Sequence, residues 1–147
     1  MSKQDEIHIL LVEDNRHDAE LTLRALNKHN LTNHLVHVKD GAEALDWLFG
    51  RGAYIGRDIN CYPKVILLDL KLPKMGGLEV LRAIRVDERY YQIPVVVLTS
   101  SKEEQDIVRS YSFAVNSYII KPVDFEEFTS TVADVGYYWS MLNTVPR

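Results

Sequence analysis

Four short apolar runs divide this chain, and a polar residue follows each run directly. The runs are rich in Val, Ile and Leu, which is typical of strands buried on both faces of a parallel sheet. The segments between them have apolar residues at helical spacing, so strands and helices alternate and predict an α/β sandwich. The four runs are Ile9–Val12, Val65–Leu68, Val95–Leu98 and Tyr118–Ile120.

The remaining segments complete the predicted order βαβαβαβαβα. Residues 33–38 mix polar and apolar positions, as expected of an edge strand. Residues 50–63 contain glycines and a proline, which predicts a long loop before the third strand. Helices are predicted after Asp40-Gly41, after Gly76-Gly77 and after Ser101.

The last predicted helix has a long apolar stripe with alternating spacings of three and four residues. A helix over residues 124–142 would be ~28 Å long at ~1.5 Å per residue, whereas the strands that it covers would span only ~17–20 Å. Its end would therefore extend beyond the sheet. Two interpretations stay open: the aromatic residues there fold back onto the domain, or they form a dimer or partner surface. These terminal residues are Tyr137, Tyr138, Trp139 and Met141.

Composition limits the classes of protein that this chain could represent. Its 147 residues fit one domain, and 46% hydrophobic with 26% charged residues is ordinary for a globular protein. A net charge of −4, without a run of basic residues, argues against nucleic-acid binding. The single cysteine, Cys61, fits a reducing compartment, and no apolar run approaches the ~20 residues of a membrane span. We expect a cytoplasmic protein with one domain over residues 1–147 and no output domain.

Side chains with metal or phosphate chemistry follow the four apolar runs. They are Glu13, Asp14, Asp69, Thr99 and Lys121. Because the carboxyl ends of parallel strands share one edge of a sheet, where ligands bind, we expect these side chains to meet. An acid at such a position is often only a helix cap or turn residue, and a lysine is often only a surface residue. Their joint occurrence at four strand ends instead predicts a metal and phosphoryl site.

The predicted cluster of acids favours a magnesium ion. Converging carboxylates repel one another and raise one another's pKa, and a divalent cation removes that penalty. Mg²⁺ prefers oxygen ligands and keeps several waters, so one or two direct carboxylates suffice, whereas Ca²⁺ would need more oxygens. Lys121 would then be the counter-charge of a carboxylate or of a phosphoryl oxygen.

The motifs around these positions resemble the receiver domains of two-component response regulators. The match runs in order along nearly the whole chain and includes Val12–Asn15, Leu67–Pro73, Val97–Ser100 and Tyr118–Pro122. The loop before Pro63 and the aromatic C-terminus are most similar to the single-domain response regulators that serve phytochrome-type kinases. The resemblance implies a three-layer, doubly wound (βα)5 fold of the flavodoxin-like type, with strand order 2-1-3-4-5.

The resemblance also implies the residues of the metal site. Asp69 would be the phosphoacceptor, and Asp14 and Asp69 would bind Mg²⁺ directly. Glu13 would act through a water molecule, and the backbone carbonyl of Lys71 would be a further ligand. A separate hypothesis places the Lys71 side chain beside the acyl phosphate, on the route of the hydrolytic water, where it would slow self-dephosphorylation. The alternative is that this side chain points into solvent.

Lys121, Thr99 and Tyr118 would complete the reaction and the switch. Lys121 would contact the phosphoryl group, and its bond to Pro122 would be cis. The Thr99 hydroxyl would bond to the phosphoryl group, which would let Tyr118 turn inward and alter the surface of the fourth helix, fifth strand and fifth helix. Tyr118 has a simpler alternative role as a fixed packing aromatic.

The expected function is that of a signalling phosphoacceptor and not of an enzyme. Its partner would be a sensor histidine kinase of the phytochrome class, and it would form a homodimer through the fourth helix, fifth strand, fifth helix and C-terminal tail. No nucleic acid or membrane partner is expected. A phosphohydrolase with an aspartyl phosphate usually has an acid two residues after the nucleophile, where this chain has Lys71. A flavodoxin-like cofactor carrier needs a small-residue phosphate loop where this chain has Glu13-Asp14.

Overall fold

The apolar runs form the predicted parallel sheet. The structure is a computed structural model, and it describes residues 9–27, 34–71, 76–109, 115, 117–124, 126–128 and 130. The sheet order is β2-β1-β3-β4-β5, and every neighbouring pair is parallel. This is the strand order 2-1-3-4-5 that the resemblance implied. The strands are β1 (Ile9–Val12), β2 (Leu35–Val38), β3 (Val65–Asp69), β4 (Val95–Thr99) and β5 (Ser117–Ile120).

Burial follows the position of each strand in the sheet. The central strands β1, β3 and β4 are buried along their whole length, whereas the edge strand β2 is mostly half-buried and the edge strand β5 ranges from buried to exposed. This difference is the reason that the central strands are continuous apolar runs and β2 is a mixed sequence.

Helices cover both faces of the sheet. They are α1 (Arg16–Asn27), α2 (Gly41–Phe49), α3 (Gly77–Arg85) and α4 (Lys102–Arg109), with a 3₁₀ turn at Gly52–Tyr54. One core lies under α2 and α3, where Leu48, Leu81 and Ile84 are fully buried against the sheet. The other lies under α1, around Leu26 and Phe128. No helix of the described residues is long and apolar enough to cross a membrane.

Side-chain caps fix where two of the helices begin. The Asn15 side chain accepts a hydrogen bond from the Asp18 N–H at 2.9 Å, and Asp40 accepts one from the Glu43 N–H at 2.8 Å. Such caps satisfy N–H groups that have no partner inside the helix. Both caps follow a strand at its carboxyl end, so they also set how each helix leaves the functional edge of the sheet.

The predicted last helix is described only in its first turns. Residues 126–128 and 130 are helical, and Phe128 is buried as the apolar stripe predicted. The remaining predicted positions, including the terminal aromatic residues, lie outside the described residues. Those terminal positions are Tyr137, Tyr138, Trp139 and Met141.

Candidate phosphoacceptor and metal site

Three carboxylates meet beyond the carboxyl ends of β1 and β3, as the sequence predicted. One oxygen each from Glu13, Asp14 and Asp69 lies within 4.8 Å of the others. The sheet register accounts for this, because Val12 pairs with Leu68 and the acids that follow them are therefore level. Glu13 and Asp69 are buried and Asp14 is exposed, so the cluster opens to solvent on one side.

The electrostatics of the cluster fit a cation. Burial raises the pKa of Glu13 to about 8, together with its hydrogen bond to Asp69 and the charge of that carboxylate. Lys121 and the Asn15 N–H, which lies 3.2 Å from Glu13 Oε2, offset part of this rise. The single ammonium of Lys121 does not balance the charge of three acids, so the cluster keeps a surplus of negative charge that a bound cation would offset. An all-oxygen donor set of this kind matches the preferences of a hard divalent ion.

Lys121 brings positive charge to the same edge. Its Nζ lies 3.4 Å from Asp69 Oδ1, 3.2 Å from Glu13 Oε1 and 2.9 Å from Asp18 Oδ2. Burial alone would lower the pKa of Lys121, but the contact with Asp18 and the charges of Asp69 and Glu13 raise it above its ordinary value. The ammonium is therefore charged at neutral pH. The Lys121–Pro122 bond is cis, as the resemblance implied.

Thr99 ends β4 beside this cluster. Its side chain is fully buried, and Oγ1 has no hydrogen-bond partner within the described part of the chain. A buried hydroxyl without a partner is rare and costly. An acceptor that arrives at the site, such as a phosphoryl oxygen, would satisfy it.

Tyr118 lies on the strand next to Thr99. Val97 pairs with Tyr118, and Thr99 pairs with Ile120. Because paired residues of parallel strands project from the same face, Thr99 and Tyr118 share one face, two residues apart along the strands. Tyr118 is half-buried against the core under α2 and α3. The structure therefore brings the two predicted switch residues together, and their switching role stays a prediction.

Lys71 approaches the site through its backbone. Its N–H donates to Asp69 Oδ1 at 3.2 Å, so the residue that would supply the predicted carbonyl ligand lies beside Asp69. Its ammonium is largely exposed and pairs with Glu104 at 2.8 Å. The side chain thus points to α4, and the hypothesis that it faces the acyl phosphate has no support in this contact.

Glu104 anchors the loop between β4 and α4. Its carboxylate accepts hydrogen bonds from the Ser100 N–H at 2.8 Å and from the Ser100 hydroxyl at 3.0 Å. Burial alone would raise the pKa of Glu104, but the bonds from Lys71 and Ser100 lower it overall. The loop that follows Thr99 is therefore held by a charged group.

The beginning of α3 packs tightly behind Asp69. A Cβ on Gly77 would lie 2.7 Å from the Asp69 carbonyl oxygen and 2.9 Å from the Leu70 carbonyl oxygen. Both atoms belong to the backbone and cannot move aside. Only glycine allows this close approach of helix and strand.

The sequence analysis missed two residues at this edge, Asp18 and Glu104. Asp18 lies in the first turn of α1, three residues after the capping residue Asn15, a position where acids favour a helix start. Glu104 lies three residues after Ser101, which is the spacing of a capping box, and its N–H does bond to the Ser101 hydroxyl at 3.3 Å. These signals mark the starts of two helices, but neither shows which side chains reach the site.

Comparison with known proteins gives a consistent result. Residues 9–133 match the family model described as the response regulator receiver domain. The probable methanogenesis regulatory protein FilR2 of Methanothrix harundinacea is 44% identical over 147 residues, which cover 99% of this chain and 92% of FilR2.

Solved structures agree with this match. The bacteriophytochrome response regulator AtBRR superposes with a TM-score of 0.86 at 51% identity, over 94% of this chain and 98% of AtBRR. The response regulator Rcp1 of Synechocystis is 36% identical over 94% of this chain and 92% of Rcp1. The Mn²⁺-bound form of Rcp1 superposes with a TM-score of 0.70, over 95% of this chain and 97% of that one.

Proposed function

Because this chain belongs to the family of response regulator receiver domains, we propose that it is a Mg²⁺-dependent switch whose Asp69 accepts a phosphoryl group from a sensor histidine kinase. The observation that supports this most directly is the environment of Asp69. Its buried carboxylate lies within 4.8 Å of the oxygens of Glu13 and Asp14 and 3.4 Å from the Lys121 ammonium. This arrangement offers a nucleophile, a cation site and a fixed positive charge at one place.

The residues present fit a magnesium ion. Asp14 and Asp69 would bind it directly, Glu13 would act through water, and the Lys71 carbonyl would be a further ligand. The acidic donor set and the raised pKa of Glu13 support this proposal, as does the Mn²⁺-bound form of the related Rcp1. When bound, the ion would supply positive charge for the oxygens of the transferred group.

Asp69 would perform the chemistry. A carboxylate oxygen attacks the phosphorus of a phosphohistidine, and an O–P bond forms as the N–P bond breaks. The electron pair of the broken bond returns to the imidazole, which carries its proton on the other nitrogen and leaves neutral. The Lys121 ammonium and the Lys71 N–H both contact Oδ1 of Asp69, so they orient the carboxylate. Lys121 then faces the phosphoryl oxygens, where negative charge accumulates.

Thr99 would convert phosphorylation into a change of surface. The phosphoryl group adds about −1.5 to −2 charges and three acceptors, and the unpartnered Thr99 hydroxyl is available to bond to one of them. A hydrogen bond to a charged group contributes roughly 1.5–3 kcal/mol, which shifts a two-state equilibrium by about ten- to a hundredfold. Tyr118 would follow Thr99 inward, and the surface of α4, β5 and the last helix would change.

The proposed partner is a sensor histidine kinase of the phytochrome class. The bacteriophytochrome response regulator AtBRR, at 51% identity, supports this choice. We propose a cytoplasmic protein that signals by binding other proteins, with residues 1–147 forming one receiver domain. The nearly full coverage of FilR2 and AtBRR by this chain supports that organisation. Homodimerisation would use α4, β5, the last helix and the C-terminal tail.

Phosphorylation of purified protein tests the proposal. Incubation with Mg²⁺ and acetyl phosphate, or with a phosphorylated phytochrome-class kinase, should add one phosphoryl group per chain by intact mass. Asp69→Asn and chelation of the metal should abolish it, and Asp106→Asn, which changes an exposed aspartate of α4, should not. Full phosphorylation of Asp69→Asn would contradict the proposal. Rapid turnover of the phosphodonor would instead indicate a phosphohydrolase, and a bound yellow chromophore would indicate a cofactor carrier.

Sedimentation tests the proposed dimer. Association should increase with the phosphodonor, and truncation after Gly136 should weaken it because the truncation removes the aromatic tail. An unaltered association profile of the truncated chain would show that the tail is not the interface.

A further inference from the structure

Asp18 makes the shortest of the three carboxylate contacts to Lys121. The Nζ–Oδ2 distance is 2.9 Å, against 3.2 Å to Glu13 and 3.4 Å to Asp69. An ammonium has three protons, so three carboxylates can hold it in one orientation. Neither the receiver motifs nor the metal cluster includes Asp18. Its proximity to the site comes from the position of α1 on the sheet.

Hydrogen bonds fix the backbone of Asp18 next to the site. Its N–H donates to the Asn15 side chain at 2.9 Å, and the Asn15 N–H donates to Glu13 Oε2 at 3.2 Å. One short segment therefore holds both Glu13 and Asp18 relative to each other. Asp18 is half-buried, so its contact with Lys121 is partly shielded from solvent.

Metal binding would leave Asp18 as the main partner of Lys121. Glu13 and Asp69 belong to the cluster that fits a divalent ion, and charge that they share with the ion is no longer available to Lys121. Asp18 is outside that cluster. The lysine stem is flexible and loses conformational freedom when it is held in place. If Asp18 remains its partner after metal binding, it keeps the Lys121 ammonium where a phosphoryl group arrives.

We propose that Asp18 is a positioning residue that holds the Lys121 ammonium beside the phosphoryl group of Asp69. The inference rests on the proposed function, since it requires that Asp69 is the phosphoacceptor. The inference also predicts whether removal of Asp18 weakens or strengthens phosphoryl binding. If Asp18 positions Lys121, its removal weakens phosphoryl binding, whereas an Asp18 that competes with the phosphoryl group for Lys121 would strengthen binding when removed.

Binding of beryllium trifluoride, a stable mimic of a phosphoryl group on a carboxylate, tests the proposal in the full chain with saturating Mg²⁺. Asp18→Asn should lower the affinity by about fivefold, within the range of couplings between contacting groups. Asp18→Glu, which keeps the charge, should recover part of that loss. Glu20→Gln should have no effect, because this acid of the same helix is exposed and pairs with Arg16.

A double-mutant cycle separates positioning from a general structural effect. In a Lys121→Ala background, Asp18→Asn should cause no further loss, because the group on which it acts is gone. Equal losses in both backgrounds, no loss in either, or a gain in affinity would each overturn the proposal. If the wild-type chain itself fails to bind beryllium trifluoride, the proposed function fails instead, so the two failures are distinguishable.

A labelling measurement with saturating Mg²⁺ and without beryllium trifluoride completes the test. Lys121 should react faster with an amine-acylating reagent in Asp18→Asn than in the wild type, as mapped by mass spectrometry, because the carboxylate that shields it is removed. Unchanged labelling would show that the contact is absent in solution and would overturn the proposal. If Asp18→Asn does not fold, as judged by circular dichroism, Asp18→Ser replaces it in every arm, since serine keeps an acceptor in the first turn of α1.

Discussion

The ammonium of Lys71 and the carboxylate of Glu104 form an ion pair of 2.8 Å that joins the loop after β3 to the first turn of α4. The same carboxylate holds both the N–H and the hydroxyl of Ser100. Two loops are connected in this way, one that begins next to Asp69 and one that begins next to Thr99. A movement of Thr99 toward a phosphoryl group would therefore act against these bonds.

Glu104→Gln should destabilise the protein by about 1 kcal/mol at pH 7, because hydrogen bonds to a charged group are stronger than those to a neutral amide. The pKa of Glu104 is lowered in the folded protein. Its stabilising contribution is thus present above the unfolded value of about 4.3 and is lost as pH falls through the folded value. Urea unfolding at pH 7 and at low pH measures this difference.

The matched control for that experiment is Glu103→Gln, which changes an exposed acid in the same turn of α4. It should alter the unfolding free energy by no more than about 0.5 kcal/mol. Equal effects of the two substitutions, or an effect of Glu104→Gln that does not shrink in acid, would contradict the role given to Glu104.

The raised pKa of Glu13 predicts that the stability of the metal-free protein depends on pH in an unusual way. Its pKa is raised to about 8, mainly by burial and by Asp69. The folded state therefore holds more protons than the unfolded state between about pH 4.3 and pH 8, and stability should fall as pH rises through that window. Glu13→Gln should remove this slope and stabilise the metal-free protein, most strongly at the alkaline end of this window. Saturating Mg²⁺ should also remove it, because a cation compensates the buried charge.

Chemical denaturation at several pH values, with and without Mg²⁺, measures this slope. Glu79→Gln is a suitable control, since Glu79 is an exposed acid at the start of α3. A wild-type stability that rises steadily from pH 5 to pH 8 without metal would show that Glu13 is already ionised at neutral pH.

Removal of the Thr99 hydroxyl should have opposite effects on the stability of the resting protein and on the stability that a bound phosphoryl mimic adds. Because its buried hydroxyl has no partner among the described residues, Thr99→Val should stabilise the resting protein by about 1 kcal/mol. The same change should reduce the additional stability that beryllium trifluoride and Mg²⁺ confer, since the hydroxyl can no longer bond to the phosphoryl mimic. Thermal unfolding with and without the mimic measures both effects.

Thr99→Ser separates the hydroxyl from the methyl group in that experiment. It should keep the response to the mimic and lose about 1 kcal/mol of stability through the small cavity that it creates. A valine variant that responds to the mimic as strongly as the wild type would exclude the hydroxyl from the switch.

The sequence was sufficient to predict the sheet and most of the site, for a physical reason. Strands buried on both faces are continuous apolar runs, and a parallel sheet brings their carboxyl ends to one edge. Asp69, Thr99 and Lys121 could thus be placed together without any knowledge of helix packing. Val12 and Leu68 pair in the register that this argument needs.

Asp18 and Glu104 were not predicted, because strand-end positions do not reveal which helix side chains reach the site. The contact of Asp18 depends on the position of α1 on the sheet and on the reach of the Lys121 stem. That of Glu104 depends on the Ser100 hydroxyl and on the exposed Lys71. The spacing of apolar residues indicates which positions are buried, and neither contact follows from burial alone.

Arg57 holds the loop over residues 50–63 in place, which the glycines and proline of the loop did not predict. The guanidinium lies 3.7 Å from the centre of the Trp47 ring and donates to the Trp47 carbonyl at 2.5 Å and to the Leu48 carbonyl at 3.2 Å. These carbonyls are among the last of α2, where helices lack internal donors. The same guanidinium reaches the Asp58 and Cys61 carbonyls, at 3.1 and 3.2 Å, so it ties the loop to the helix end.

Arg57→Lys should therefore destabilise the protein by about 2 kcal/mol, because an ammonium cannot reproduce the planar fork or its stacking on Trp47. Arg51→Lys is the matched control, since Arg51 is exposed, and it should change the unfolding free energy by less than about 0.5 kcal/mol. Phosphorylation of Asp69 should be unchanged in both variants, because this loop precedes β3 whereas the site follows it. Denaturation followed by circular dichroism measures the stability, and an equal loss in the two variants would refute the role of the guanidinium.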